Sequence, residues 1–425
     1  MAKPKRLELH GAVRTEHISL RPIHPFPARM APSIVQRRLR SKKTMCVLDP
    51  MAGSGTTLVA ARLCGHRALG FDTDPLALLI AKAWSSDVDR DRLQRHAGQI
   101  LSEARKRCRD LSFGDAYPKR ADPETRAFIR FWFDPINRRQ LTALSDEISQ
   151  VKDLTERAFL WSSFSRLIVT KDAGASLARD VSHSRPHRAF SIGPVRPFKR
   201  FLSSVAAVLR ASHFSSGKKF PSATVSNADA RNLPLDDASV DLVITSPPYV
   251  NAIDYLRGHK LSLVWMGHRV KEIRNLRSNS IGAECSKRSA LDTDHVRSAL
   301  RAMCDPEELS KRSQGMLAQY ARDMNSVLAE VSRVLKRGGE AVVVVGNSTI
   351  RGVFIKNSCA LVYLAKANGL RLNSTRRRRL LENRRYLPPP ERRISGKLLS
   401  SRMREEVILT FGKNPAANVK LGLHH

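Results

Sequence analysis

Acid is what this chain of 425 residues has little of: 39 Asp and Glu stand against 74 Lys and Arg, for a net charge of +35. Such an excess is the electrostatic footprint of a protein that meets a polyanion. The six cysteines, Cys46, Cys64, Cys108, Cys285, Cys304 and Cys359, form no C-x-x-C pair. Neither a zinc site nor a dense disulfide framework is signalled, no metal is expected, and a reducing cytoplasm is the expected setting. Long apolar runs are also missing: Val342–Val345 falls far short of the roughly 20 residues of a spanning helix, which favours nucleic acid over a membrane as the anionic partner. The basic opening, Met1 to Arg6, lacks the apolar stretch of a secretory signal, so export is not expected. What is present is an ordinary globular balance, 42% hydrophobic and 27% charged, in a length that suits two or three units.

Along the chain, residues 45–84 read as strand, glycine turn, helix, strand and helix. Met45–Leu48 leads to the turn, Thr57–Cys64 is helical up to Gly65, Arg67–Phe71 is the next strand, and Pro75 opens the helix Leu76–Trp84. This is a βαβ unit, expected to be right-handed. Residues 85–220 interrupt the rhythm with a basic, helix-rich stretch read as an inserted domain. Its aromatics, Phe128, Phe131, Trp132 and Phe133, then Phe159, Trp161 and Phe164, read as a small helical core, and Ser182–Arg188 reads as a loop. Alternation resumes with a strand Asp241–Thr245 and a helix Leu317–Leu335, carried by Leu317, Tyr320, Met324, Val327, Val331 and Leu335 and ended by Gly338–Gly339. The strands Glu340–Val345 and Glu406–Phe411 follow. The expected fold is an open α/β sheet with helices on both faces, its catalytic core divided into 1–84 and 221–425, with the insertion 85–220 and a basic insertion at 256–315.

Two constellations carry chemistry. The first, Asp49-Pro50-Met51-Ala52-Gly53-Ser54-Gly55-Thr56-Thr57, lies between a strand and a helix, where glycines let the backbone approach a ligand at a strand's carboxyl end. A phosphate loop would need Lys after its last glycine, and Thr56 stands there instead. Gly70-Phe71-Asp72-Thr73-Asp74-Pro75 then ends the second strand with carboxylates. Asp72 is the candidate to accept hydrogen bonds from ribose hydroxyls, and Asp74 before Pro75 reads as a helix cap. The pair points to an adenosine-containing cofactor.

The second is Asp241-Leu242-Val243-Ile244-Thr245-Ser246-Pro247-Pro248-Tyr249, an apolar strand running into a rigid turn. Prolines bring no amide hydrogens, so Ser246 and the Pro247 carbonyl can accept hydrogen bonds from an incoming amino group, while Tyr249 offers a ring for a base to stack on. A base amine is a poor nucleophile because its lone pair is delocalised, and such hydrogen bonds draw it toward tetrahedral geometry.

These segments resemble motifs I and IV of the amino-methylating DNA methyltransferases, the second written D/N/S-P-P-Y/F. The Ser-Pro-Pro-Tyr form is similar to the cytosine-N4 branch, whereas adenine-N6 enzymes more often carry Asp or Asn at the position of Ser246. His24-Pro25-Phe26-Pro27-Ala28-Arg29-Met30 resembles motif X, which implies that His24 and Phe26 line the methionine end of the cofactor. Asn227-Ala228-Asp229-Ala230 resembles motif III, which implies that Asp229 contacts the adenine amino group with Ala230 beside it. About 230 residues are covered, tied by resemblance to a Rossmann-like class I fold, to the cofactor S-adenosyl-L-methionine, and to a target base flipped out of duplex DNA at a cost of a few kcal/mol of unstacking. Either insertion is placed to read sequence, and Asn251, Asp254 and Tyr255 follow the catalytic turn closely enough to line its rim. Arg376, Arg377, Arg378 and Arg379, followed by Arg384, Arg385, Arg392 and Arg393, are expected to meet DNA phosphates. The expected function is a site-specific cytosine-N4 DNA methyltransferase, with a separately encoded restriction endonuclease as a candidate partner. The rivals are adenine-N6 transfer, RNA base methylation, and a non-catalytic nucleic-acid binder that keeps the fold.

Overall fold

A computed structural model describes residues 19–27, 29–39, 43–214, 220–250, 254–282, 293–380 and 405–413. Seven strands form the main sheet: β1 Cys46–Asp49, β2 Arg67–Asp72, β3 Ala223–Asn227, β4 Val240–Thr245, β5 Leu335–Gly346, β6 Leu370–Arg379 and β7 Glu405–Lys413. Their order is β6-β7-β5-β4-β1-β2-β3. The five strands β5-β4-β1-β2-β3 are parallel, while β7 runs antiparallel to both β5 and β6. The sheet is mixed and mostly parallel, within the open α/β architecture expected.

Alternating residues of each central strand face opposite layers, as the pleat requires. Val47, Leu242, Ile244, Val342 and Val344 join one apolar cluster; Leu48, Val243, Ala341, Val343 and Val345 join the other. The first face is covered by α1 Thr56–Leu63 and α2 Pro75–Ser85, and beyond them by α3 Arg90–Asp110, α4 Pro123–Trp132, α5 Pro135–Ser149, α6 Leu154–Ser165 and α7 Pro197–Ala211. The second carries α10 Asp294–Met303, α11 Lys311–Val334 and α12 Asn357–Ala367, after α8 Tyr255–Leu263 and α9 Val270–Asn279 on the first. Several helices on this face have clear local causes. Asp74-Pro75, Asp122-Pro123 and Asp134-Pro135 each start one: the carboxylate accepts an orphan amide, at 2.9 Å in all three, and proline takes the first helical position. These helices share one continuous apolar cluster with the sheet.

Three local expectations need correction. The helix ends at Val334, before Gly338–Gly339, which instead lie inside β5; there Gly338 takes φ +73° and a side chain on Gly339 would meet the Asp241 carbonyl at 2.9 Å. The glycines serve a strand irregularity opposite Val240 and Leu242. Phe131 is half exposed, because it lies on the outer face of α4, whereas Phe133, Phe159, Trp161 and Phe164 are buried. Ser182–Arg188 is more than a loop: Val181–His183 is a helical turn, and His187–Arg188 pairs with Ala178–Arg179 as a short hairpin. Among the described residues no helix is long and apolar enough to cross a membrane.

Candidate active site

The chain leaves β1 toward β2 but leaves β4 toward β5, so the strand order reverses between the neighbours β1 and β4. The crevice outside their carboxyl ends is where open α/β sheets bind ligands. The sequence places its glycine turn after β1 and Ser246-Pro247-Pro248-Tyr249 after β4, so the two constellations converge there.

In the glycine turn, Gly53 adopts φ +50° and Gly55 φ +86°; a side chain at Gly55 would press on the Ala81 backbone at 3.0 Å. The Ala52 amide donates to the Phe71 carbonyl (2.8 Å) and the Gly53 amide to Asp72 Oδ2 (2.8 Å), which ties the turn to the end of β2. Asp72 Oδ1 accepts the Asp74 amide at 2.9 Å, so each carboxylate oxygen keeps a lone pair for an incoming donor. Burial, then the nearby Asp74 charge, pushes Asp72 up to about 6. Asp49, behind the turn, is also pushed up to about 6 by burial, against the pull of Thr245, Thr57 and the Met51 amide. Pro50 and Met51 continue the turn, Ala52, Ser54 and Thr56 are buried in it, and Thr73 links Asp72 to the cap of α2.

Phe26 reaches the same turn, with His24 two residues before it. The Phe26 ring lies 3.5 Å from where a Gly53 side chain would begin, stacks on Tyr255 (centroids 5.4 Å apart) and tilts against His259 (5.2 Å). His24 is buried, with Nε2 2.9 Å from Ser165 Oγ; burial and then the His259 charge hold its imidazole well below the ordinary value. His259, which sequence reasoning missed, places Nδ1 2.5 Å from Asp74 Oδ2. Burial alone would raise Asp74; His259 and the α2 amides hold it below the usual carboxylate range. Thr56 Oγ1, His24 Nδ1 and His259 Nε2 are buried without a hydrogen-bond partner among the described residues. Unmet polar atoms around an open glycine turn fit a ligand of mixed polarity with a ribose.

In the second turn, the Ser246 hydroxyl donates to the Val344 carbonyl at 3.1 Å and lies 3.3 Å from Tyr249 Oη, which is 3.5 Å from Glu406 Oε1. Burial, then the Glu406 charge, holds the Tyr249 phenol well above its ordinary value, so it stays protonated. Glu406 is buried and is held in turn by Arg378, whose Nη2 and Nε reach Oε2 at 2.7 and 3.1 Å across the β6/β7 ladder. Glu406 looked in sequence like the polar start of a strand; an acid directly before the apolar run Val407–Leu409 was the one available hint. We expect Glu406→Gln to lose about 1–2 kcal/mol of unfolding free energy in urea, toward the low side of a charged hydrogen bond because Arg378 is partly exposed. An unchanged midpoint would remove Glu406 from the support of Tyr249.

Asp229 follows the end of β3 next to Asp72, whose carbonyl accepts the Ala228 amide at 3.4 Å. Asp229 is engaged by Arg231, whose Nη2 and Nε reach its carboxylate at 2.6 and 2.9 Å while Nη1 holds Asp323 at 2.7 Å; the adjoining Ala230 is buried. Arg376, Arg377 and Arg379 are exposed on β6, at the sheet edge, but Arg378 is turned to Glu406. Asn251, Arg384, Arg385, Arg392 and Arg393 lie outside the described residues. Asp254 caps α8 and receives Arg277 at 2.7 Å, and Tyr255 follows it at the rim.

Residues 10–83, which hold the glycine turn and Asp72, match the family described as DNA methylase, in the N6/N4 methyltransferase group. The chain is 22% identical over 379 residues to the Type II methyltransferase M.MvaI of Kocuria varians, covering 81% of this chain and 80% of that protein. It is 26% identical over 362 residues to the Type II methyltransferase M.AvaI of a Nostoc species, covering 76% and 72%. Among solved structures, an S-adenosylmethionine-dependent methyltransferase of Methanosarcina mazei overlaps 92% of this chain and 100% of its own at 10% identity and a TM-score of 0.32. Sequence likeness to these DNA methyltransferases extends from the glycine turn across about four fifths of the chain, and it supports the amino-methylating DNA methyltransferase family with S-adenosyl-L-methionine as the methyl donor.

Proposed function

We propose that the chain methylates the exocyclic N4 amino group of a cytosine in DNA, turned out of the duplex into the crevice between β1 and β4. The observation that carries this reading is Ser246: its proton is given to the Val344 carbonyl, so its oxygen is left to accept from an amine, and no carboxylate stands at that position. S-adenosyl-L-methionine supplies an electrophilic methyl group when bound. Asp72 would hold the ribose, His24 and Phe26 the methionine end, and residues 49–56 the backbone contacts; Asp229 and Ala230 would lie by the adenine. Ser246 and the Pro247 carbonyl accept the two amino hydrogens and localise the nitrogen lone pair, Pro248 stiffens the turn, and Tyr249 fixes the plane of the base.

The relatives' description as Type II methyltransferases supports a separately encoded restriction endonuclease of the same recognition sequence as partner. The second reading, adenine-N6 transfer, rests on the family, which includes both branches. Mass spectrometry of nucleosides from DNA and RNA of cells with and without the expressed chain decides between them: 4-methylcytosine in DNA is expected, 6-methyladenine would move the reading to adenine, and 5-methylcytosine would overturn it, since carbon methylation calls for a Cys nucleophile the turn lacks.

Arg376, Arg377 and Arg379 lie free of the Glu406 pairing and are proposed to contact phosphates. Replacing all three with Gln is expected to flatten the dependence of log affinity on log salt by up to about 0.9 per lost contact. A slope equal to that of the unmodified protein would leave them as a solvated edge.

A further inference from the structure

The hairpin that joins Ala178–Arg179 to His187–Arg188 lies within the insertion, yet it is fastened to the segment following the catalytic turn. Ser184 Oγ donates to the Asp254 carbonyl, lies 3.2 Å from the Tyr255 carbonyl, and accepts the Gly258 amide at 3.1 Å. The fit leaves no room: a side chain on Gly258 would come 2.4 Å from the Val181 carbonyl. Because Tyr255 stacks on Phe26, which covers Gly53, only these two residues intervene between the hairpin and the glycine turn.

The tip is also strained. Asp180 (φ 58°) and Ser184 (φ 57°) both adopt the left-handed region that disfavours non-glycine residues, and both are held there by hydrogen bonds: the Asp180 amide donates to the Lys171 carbonyl at 2.8 Å and the Ser184 amide to the Val181 carbonyl at 3.0 Å. Backbone strain kept in place by surrounding contacts concentrates at functional segments. What the tip presents to solvent is cationic. Arg179, Arg185, His187 and Arg188 are exposed. Arg179 lies over the Phe190 ring at 5.6 Å and Arg188 over the half-exposed Phe131 ring at 5.3 Å, which pre-orders both guanidinium groups. Arg185 is held below its ordinary value by burial and by the charge of Arg257 on α8, with Asp180 opposing.

We infer that this hairpin, residues 178–188, grips the DNA backbone beside the base being methylated, with Arg179, Arg185 and Arg188 on phosphates; the inference rests on the DNA-methyltransferase reading above. It assigns a role to one segment of the insertion, separate from the β6 arginines. The test is the triple variant Arg179→Gln, Arg185→Gln, Arg188→Gln, set against Arg95→Gln, Arg105→Gln on the exposed side of α3. The hairpin variant is expected to flatten the salt dependence of duplex binding by about 2–3 in log–log slope and to raise the KM for DNA roughly tenfold or more. S-adenosylmethionine affinity by calorimetry and the thermal midpoint should stay as in the unmodified protein. An unchanged slope and KM, or an equal loss in the α3 control, overturns the hairpin's role while DNA methylation by the unmodified protein stands. Methylation of RNA alone by the unmodified protein overturns both.

Discussion

Tyr249→Ala is expected to reduce kcat at least about a hundredfold with little change in the affinity for S-adenosyl-L-methionine. In the proposed reading the ring has two tasks. It supplies a stacking contact worth about 1–3 kcal/mol to a flipped base, and it fixes the plane from which the amine approaches the crevice, where an ångström of misplacement alone costs orders of magnitude. The Phe variant separates them: Tyr249→Phe keeps the ring and loses only the hydroxyl, which lies at long distances from Ser246 (3.3 Å) and Glu406 (3.5 Å), so it should retain most turnover. Steady-state kinetics with calorimetry checks both, and an Ala variant as active as the Phe variant would show that stacking on this ring is not used. Ser246→Ala should be milder than Tyr249→Ala, because the Pro247 carbonyl still accepts one amino hydrogen.

Asp72→Ala should weaken cofactor binding by about 1.5–3 kcal/mol, the range for a hydrogen bond to a charged acceptor. Beyond its proposed part at the ribose, the side chain holds the Gly53 amide at 2.8 Å and the Asp74 amide at 2.9 Å, so its loss also loosens the turn. The pH dependence has a definite sign. Burial and Asp74 push Asp72 up to about 6, so the carboxylate form is lost as pH falls through about 6, and cofactor affinity should fall between pH 7.5 and 5. Folding runs the other way: an acid held above its unfolded value near 3.9 favours the fold fully below that value and ceases to as pH rises through about 6. Calorimetry across this range tests the binding half; affinity that is flat with pH, and unaltered in a folded Ala variant, would remove Asp72 from the site.

The parts of the site legible in sequence are those whose chemistry is local. A glycine turn between a strand and a helix, an acid at the next strand end, and two prolines after an apolar strand each declare themselves within ten residues. The parts that were not legible depend on pairings across the fold. Glu406 matters because the β6/β7 register sets it opposite Arg378 and its far oxygen reaches Tyr249, 157 residues away in sequence. His259 reads as one of several polar residues on its helix until Asp74 is found against it. Arg378 belongs to a run of four arginines in sequence, and only the alternation of a strand separates it from its neighbours. Gly338–Gly339 carry the usual signature of a helix end, and tertiary pairing with β4 overrode it by extending β5 back to Leu335.

The position of β7 bears on how the molecule comes into being. It is the last described strand in the chain, yet it lies between β5 and β6 rather than at an edge. Until residues 405–413 have emerged from the ribosome, β5 and β6 have no common neighbour, Glu406 is absent, and the phenol of Tyr249 has lost one of its two hydrogen-bond partners. The β2/β3 pairing similarly waits for the whole insertion, since Asp72 meets Asn227. Contacts this distant in sequence are slow to form, so an unfinished chain would lack a completed crevice, and activity during synthesis should appear late and all at once.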